Sequence, residues 1–486
     1  MNDEALTKSR SMRKATLSQD WLYLGLLLLV ILSIAFLLPV EPNDYWWYVR
    51  IGRDTLQAGA VPTVDTLSYT QFGQPVIYHS WLSAVLLALL DKAGGISLTV
   101  LVRGLAVALG YGLIYAAARQ AGAGTGMSSL VTLLAALATS NNWSVRPQMF
   151  TYCLFAAVVW ILLRWQRGAT RAVWLLPVIS LLWVNLHGSF VMLFLLVAAA
   201  LLFGKGSRRT LAVALGLSLL ASLLNPRGLL AWQYVLMSLT AASNQQFSME
   251  WSPPLNVGWQ MNLFFGWLLL FIPLVAYSPR RLSALEWTWL LGFGWLALSG
   301  QRYVIWFVFI LTVLTASLLE ELKFKRTART AQKIFPAVNI SLGILFILLP
   351  FALLPGLRAT WWAQSPQVLT ETPVQAVRWL EKNPEIPGPL WSEIGFSSYL
   401  EYALPSRPVW SDTRFEVYPP EQWERYQAIH KAKWNWQILL DEEGINLLMV
   451  SKASQPDLLA ALQASPVWVE VYADEVTVIF ERAEGD

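Results

Sequence analysis

Trp21–Val40 is an uninterrupted apolar run of 20 residues, enough, as a helix, to cross a hydrocarbon core of about 30 Å. No other feature restricts the fold so severely, because a backbone inside lipid must satisfy its own hydrogen bonds as a helix or a closed barrel. Ten further stretches of similar character lie at about 97–118, 127–143, 148–165, 171–187, 189–204, 209–224, 260–277, 284–299, 302–320 and 334–355. The sequence therefore predicts a polytopic α-helical membrane domain over residues 21–355, with about 11 transmembrane helices. Composition agrees. Only 14% of residues are Asp, Glu, Lys or Arg and 26 are Trp, whereas soluble domains carry about 25% charge and membrane interfaces collect Trp. Three histidines (His79, His187, His430) and one cysteine (Cys153) exclude a disulfide scaffold, a zinc finger and a Cys/His nucleophile.

Lys8, Arg10, Arg13 and Lys14 precede the first run, so residues 1–20 are predicted to form a cytoplasmic tail. The run is longer than a signal-peptide core and no small-x-small cleavage site follows it, so it is expected to remain as an anchor. Basic connections at Arg119, Arg164/Arg167/Arg171, Lys205/Arg208/Arg209, Arg280/Arg281 and Lys323–Lys333 then fall on the cytoplasmic side. Residues 1–355 carry 25 Lys/Arg against 12 Asp/Glu, a net of +13, and residues 356–486 carry 10 against 19, a net of −9. Basic charge distributed in this way marks the loops of a hydrophobic region and excludes a nucleic-acid-binding face. Parity makes residues 41–96 the first outer loop. Within it, His79–Asp91 cannot cross without inverting every later basic loop. It is predicted to be a helix lying on the outer surface, with Trp81, Leu82, Val85, Leu86 and Leu89 toward lipid or bundle and Ser80, Ser83 and Asp91 elsewhere.

After residue 355 the composition turns globular. Thr372–Asn383 is amphipathic, and Glu421–Glu443 and Pro456–Ala464 are helical candidates. Pro389–Glu393, Pro408–Ser411 and Ile445–Val450 are strand candidates, and Trp468–Arg482 alternates like a hairpin turning near Ala473-Asp474. The pattern predicts an extracytoplasmic α/β domain over residues 356–486.

Polar side chains gather at the outward-facing ends of the predicted helices: Glu41, Asp44, Asp65, His79, Arg146, Asn185, His187, Asn225, Arg227, Glu250 and Arg302, with Arg103 inside the second span. Ionisable groups at membrane depth are costly and point to one external site; helix-end polarity at a wet interface is the other reading. Asp44 follows the first run directly, in Glu41-Pro42-Asn43-Asp44-Tyr45-Trp46-Trp47. Its carboxylate suits a base on an acceptor hydroxyl or a ligand for a divalent metal beside a pyrophosphate-like group. The alternative is a helix N-cap within an aromatic belt. His79 and His187 suit phosphate or sugar hydroxyls, or structural hydrogen bonds; His430 reads as a surface residue, Cys153 as core and Asp65 as a turn residue.

Six stretches occur in an order that carries a resemblance: Asn43-Asp44-Tyr45-Trp46-Trp47, Tyr78-His79-Ser80-Trp81-Leu82, Arg146-Pro147-Gln148-Met149-Phe150, Trp183-Val184-Asn185-Leu186-His187-Gly188, Asn225-Pro226-Arg227-Gly228 and Glu250-Trp251-Ser252-Pro253. With them the chain resembles the GT-C superfamily of integral-membrane glycosyltransferases, and within it a bacterial group related to the protein mannosyltransferase and aminoarabinose transferase branch. The resemblance implies transfer of a sugar from a polyprenyl-phosphate donor to a lipid, glycan or protein acceptor at the outer membrane face. It implies that Asp44 matches the family's first-loop catalytic Asp; the clustering of polar groups makes Arg103, Arg146, His79, His187, Asn185, Arg227, Glu250 and Arg302 the expected substrate-binding residues. The second outer loop, Ser140-Asn141-Asn142-Trp143-Ser144-Val145-Arg146, lacks the carboxylate of many relatives, and position 80 is Ser where an acidic residue is expected. No metal ligands are therefore assigned; a single Asp base with Arg146, Arg227 or Arg302 neutralising the lipid phosphate is the expected chemistry. Two other classes compete. A transporter or flippase would use mid-membrane polar residues and often show repeats, whereas here the polar groups sit at one face and no repeat is seen; a non-catalytic envelope-assembly protein would keep the same fold.

Overall fold

The computed structural model of the protein describes residues 19–322, 336–361, 368–386 and 388–483. The basic tail residues Lys8–Lys14 and the Lys323–Lys333 linker lie outside the described residues. The first apolar run is helix α1, Gln19–Leu37, which ends where Pro39 withdraws a backbone donor. Among the described residues four helices are long and apolar enough to cross a membrane: Trp81–Gln120, Pro147–Gln166, Gly258–Tyr277 and Gln301–Glu321. Ile340–Leu353 and Pro355–Trp361, bent by 91°, pass the same test only as a pair, the geometry of a broken span or a re-entrant loop. Trp21–Leu37, Thr125–Ala138, Arg171–Leu186 and Gly188–Phe203 are apolar but shorter. The eleven stretches of the sequence thus become helices of unequal length, because Gly and Pro divide the hydrophobic runs. In 171–187, for instance, a tight 3-10 turn over Arg171–Leu175 leaves only Leu176–Leu186 as α-helix.

Two helices carry the loop after α1. Helix α2, Tyr45–Ala58, stops at Gly59, whose φ of +67° lets the chain turn left-handed past the last carbonyls. Helix α3, Trp81–Gln120, is two segments joined at Gly94-Gly95; Gly95 has φ +57° and ψ −149°, a conformation open to glycine alone. The segment that the sequence sets apart at His79–Asp91 is therefore a separate helical rod. Its faces differ from expectation. Ser80 and Ser83 are buried, and Ser83 Oγ donates to Leu186 O at 2.7 Å. A serine can line this face because its hydroxyl finds a carbonyl that the neighbouring helix end leaves free.

The C-terminal part is a four-stranded sheet with helices. Strands β1 (Leu390–Ser392), β2 (Leu447–Ser451), β3 (Trp468–Ala473) and β4 (Thr477–Arg482) lie in the order β1-β2-β4-β3, with β1 and β2 parallel and the remainder antiparallel. Every β2 residue is buried, as the apolar run Ile445–Val450 requires. The β3–β4 turn forms where expected, with Asp474 accepting from the amides of Val476 and Thr477 at 2.8 and 2.7 Å. Two expectations fail. Glu421–Glu443 is not one helix: Pro420–His430 ends in a Schellman-type turn, Lys433 N–H to Ala428 O, and Trp436–Glu442 follows. Pro408–Ser411 is not a strand of the sheet; Val409 instead bridges to Ser68 of the first loop, where Tyr69 N–H meets its carbonyl at 3.0 Å.

Helix α4, Ile394–Ala403, was not apparent from the sequence, and it does most to join the two parts. It packs on α2, whose other side meets α3. Trp46 of α2 sits edge-on to Tyr399, ring centroids 4.8 Å apart, and against Tyr402. On the opposite side, Gly52 lets α2 approach the Ala84 carbonyl so closely that any Cβ would collide with it.

Candidate active site

The junction of bundle and C-terminal part encloses a cavity of about 1260 Å³. Asp44 lies on its wall at the start of α2. An Asp here normally spends its carboxylate on capping the helix, but Asp44 makes no such bond. The duty passes to α4: Ser398 Oγ accepts from the Trp47 amide at 3.3 Å and donates to Asn43 O at 2.6 Å. The Asp44 carboxylate, 22% exposed, is thereby released toward the cavity. Its Oδ1 accepts from Thr413 Oγ1 at 2.5 Å and more weakly from Trp47 Nε1 at 3.4 Å. Its Oδ2 lies 3.4 Å from Arg146 Nε.

Arg146 reaches the cavity because Pro147 begins a short 3-10 helix and leaves residue 146 extended. Its guanidinium pairs with Glu250 as well as Asp44. Arg302 lies over the face of Trp251, 4.2 Å from the ring centroid, and among the described residues makes no ion pair. Arg227 is held by the carbonyls of Pro62 and Val76 at 2.8 and 3.2 Å. His79 stacks on Tyr234, centroids 4.0 Å apart, with the His187 ring 5.9 Å away. Burial, and after it the Arg302 charge, lower the His79 pKa to about 3, so this ring is neutral and acts as donor or acceptor rather than as a cation. His187 Nδ1 bonds to Ser189 Oγ at 2.8 Å.

Asp44, His79, Arg146, His187, Arg227, Glu250 and Arg302 thus line one cavity although they come from separate parts of the sequence. Two residues assigned to substrate lie elsewhere. Arg103 is fully buried and donates to the carbonyls of Ala35, Leu38 and Pro39 at 2.5–3.0 Å; it neutralises the C-terminal end of α1, where carbonyls lack intrahelical partners. Asn185 is saturated by Leu181 O, Leu224 O and Trp81 Nε1. Asp65 holds a turn, accepting from the Ser68 amide and hydroxyl at 3.2 and 2.7 Å, but it does more than that. It is fully buried, with Arg414 Nη1 2.7 Å from its Oδ1. His430 is half-buried and stacks on Tyr426. Among the described residues no group of three His, Cys, Asp or Glu could hold a metal ion, and the guanidinium beside Asp44 opposes a cation there.

The C-terminal wall was not legible in the sequence. It brings Thr413, Arg414, Glu416 and Glu393 to the same cavity. Glu416 accepts from Tyr234 Oη at 2.7 Å. Glu393 caps α4 by accepting from the Phe396 amide at 3.0 Å, and burial raises its carboxyl from the usual 4.5 to about 7 despite that bond. A carboxyl with a raised folded pKa contributes stability that is complete below its unfolded pKa and lost as pH rises through about 7. We expect the unfolding temperature of Glu393→Gln, relative to wild type, to rise between pH 4.5 and pH 7.5. A difference that stays constant across that range would contradict the assignment.

No protein-family model matches the chain, and no curated protein matches it in sequence. Solved structures do match. The archaeal oligosaccharyltransferase AglB from Archaeoglobus fulgidus, solved with an inhibitory peptide and a dolichol-phosphate, superposes at a TM-score of 0.59 with 11% identity, covering 96% of this chain and 75% of that one. The arabinofuranosyltransferase AftD from Mycobacteria superposes at 0.54 with 16% identity, covering 97% of this chain and 42% of that longer one. At such identities the likeness is one of fold alone. The chain shares the fold of the archaeal oligosaccharyltransferase and of the mycobacterial arabinofuranosyltransferase.

Proposed function

We propose that the protein is a membrane glycosyltransferase that moves a sugar from a polyprenyl-phosphate carrier to an acceptor hydroxyl at the outer face of the cytoplasmic membrane. One observation carries this reading. A carboxylate freed from helix capping opens on a large cavity that also gathers Arg146, Arg227 and Arg302. The fold adds support, and so does the dolichol-phosphate, a polyprenyl-type lipid, bound to the archaeal structural neighbour. In the proposed reaction the acceptor O–H gives its proton to Asp44, and its oxygen forms the new bond to the anomeric carbon. The bond from that carbon to the phosphate oxygen breaks with its electron pair, so the configuration inverts and the carrier phosphate departs as an anion. Guanidinium groups stay charged and can each hold two phosphate oxygens. Arg302, stacked on Trp251 and without an ion pair among the described residues, is the guanidinium most available for this. The decisive experiment incubates the purified protein with radiolabelled polyprenyl-phosphate sugars and a membrane extract. Label transferred to an extractable acceptor supports the reading, and no transfer from any donor in the panel counts against it.

The same reading fixes an orientation, with the cavity and residues 356–486 outside and Gly206 in a cytoplasmic loop. None of Arg119, Arg164, Arg167, Arg171, Lys205, Arg208, Arg209, Arg280 and Arg281 lines the cavity, which agrees with their assignment to the opposite, cytoplasmic side. A reporter fused at Gly206 is expected to give a cytoplasmic signal. An external signal there would overturn the orientation and the outer-face site with it.

A further inference from the structure

We propose that Thr413, a residue of the C-terminal part, is a positioning residue for Asp44, so that the base is assembled only when that part is seated on the first loop. The inference rests on Asp44 being the base, as proposed above. The contact joins residues 369 apart in sequence. The Thr413 hydroxyl has one proton to give. Trp47 Nε1 already donates to its oxygen at 3.1 Å, and the hydroxyl lies 2.5 Å from Asp44 Oδ1. With a donor occupying one side of the oxygen, the Thr413 proton is directed at the carboxylate. The Trp47 ring is buried and stacked on Tyr48, centroids 3.7 Å apart, so the start of this relay cannot swing away.

The outcome for Asp44 is a division of labour between its oxygens. Oδ1 is held by Thr413, and Oδ2, beside Arg146 Nε at 3.4 Å, is left to take the acceptor proton. Two neighbouring contacts keep Thr413 in register. Ser398 of α4 clamps Asn43 and Trp47 on one side of Asp44. Arg414, next in sequence to Thr413, is locked between Asp412 and Asp65 of the first loop at 2.5 and 2.7 Å. A base that rotates out of line loses rate steeply, since misplacement by about 1 Å can cost on the order of 100-fold.

The test compares Asp44→Asn, Thr413→Val and Thr413→Ser in the purified transfer assay, with thermal unfolding recorded for each. Valine keeps the shape of threonine and removes the proton; serine keeps the proton. We expect Thr413→Val to lower kcat about 10- to 100-fold with KM for donor and acceptor little changed, and Thr413→Ser to restore most of it at an unaltered unfolding temperature. If Asp44→Asn is inactive while Thr413→Val has wild-type kcat, the positioning role is refuted and the base survives. A loss in Thr413→Val that serine does not restore also refutes it, because the hydroxyl is then not the agent. Should Thr413→Val fail to fold, Trp47→Phe, which removes the donor that directs the Thr413 proton, is expected to lower kcat without raising KM; wild-type kcat there refutes the relay. Activity retained by Asp44→Asn would refute the underlying reading instead.

Discussion

Asp44→Asn is expected to lower sugar transfer by about 10²–10⁴-fold, the usual cost of losing a positioned base, in a protein that still folds and inserts. The expectation of an intact fold has a structural reason. Asp44 does not cap α2, whose free Trp47 amide is taken by Ser398, and an asparagine can still accept from Thr413 through its carbonyl oxygen. What disappears is the capacity to receive a proton at Oδ2. The companion change Glu250→Gln tests whether the effect is specific. Glu250 shares Arg146 with Asp44 but is 40% exposed, so its loss frees Arg146 without removing the base, and its effect should be much the smaller. Initial rates of the two variants and wild type, measured with the same labelled donor, decide the matter. Near-normal transfer by Asp44→Asn would refute Asp44 as the base while leaving the transferase reading standing.

The fold and the near half of the site were legible because their signals are local. An apolar run of membrane-spanning length needs no partner to be read, and Asp44 is conspicuous directly after it. Charge parity sets His79–Asp91 apart, and the helix does break just beyond it, at Gly94-Gly95. Misreadings arose where a distant partner decides. Arg103 was assigned to substrate because a charge at membrane depth defaults to function, yet it answers three carbonyls at the end of a helix 64 or more residues away. Asn185 fails for the same reason. Helix α4 has the sequence Ile-Gly-Phe-Ser-Ser-Tyr-Leu-Glu-Tyr-Ala, with Gly, Ser and aromatic residues of modest helix propensity; its helicity comes from packing on α2, which no local pattern announces. Thr413 was invisible for the most basic reason. Its chemistry lies in a contact between loops that nothing in either loop's composition foretells.

The same cross-chain contact sets the second large effect. Arg414→Met is expected to destabilise the protein by about 3–5 kcal/mol at pH 7, the usual cost of breaking a buried ion pair on one side. Arg414 is buried with Asp412 and Asp65, both fully inaccessible, and donates as well to Tyr78 Oη at 2.8 Å. Methionine leaves two carboxylates in a dry site without their cation. Burial alone would raise the Asp412 pKa, but the Arg414 charge and its hydrogen bonds hold that carboxyl below the usual carboxylate range. Glu401 beside it is pushed well up, by burial first and then by Asp412. The sign of the pH dependence follows. A depressed carboxyl contributes stability that is present above its unfolded pKa, near 3.9, and is lost as pH falls through its folded value. In Arg414→Met the contribution is absent, and protonation at low pH relieves the stranded charges. The gap between wild type and variant should therefore be widest at neutral pH and narrow toward pH 3. Denaturant unfolding of the detergent-solubilised proteins across that range provides the comparison. A gap below about 1 kcal/mol at pH 7, the scale of an exposed ion pair, or a gap that widens on acidification, would show that the Asp65–Arg414–Asp412 cluster does not hold the C-terminal part to the first loop.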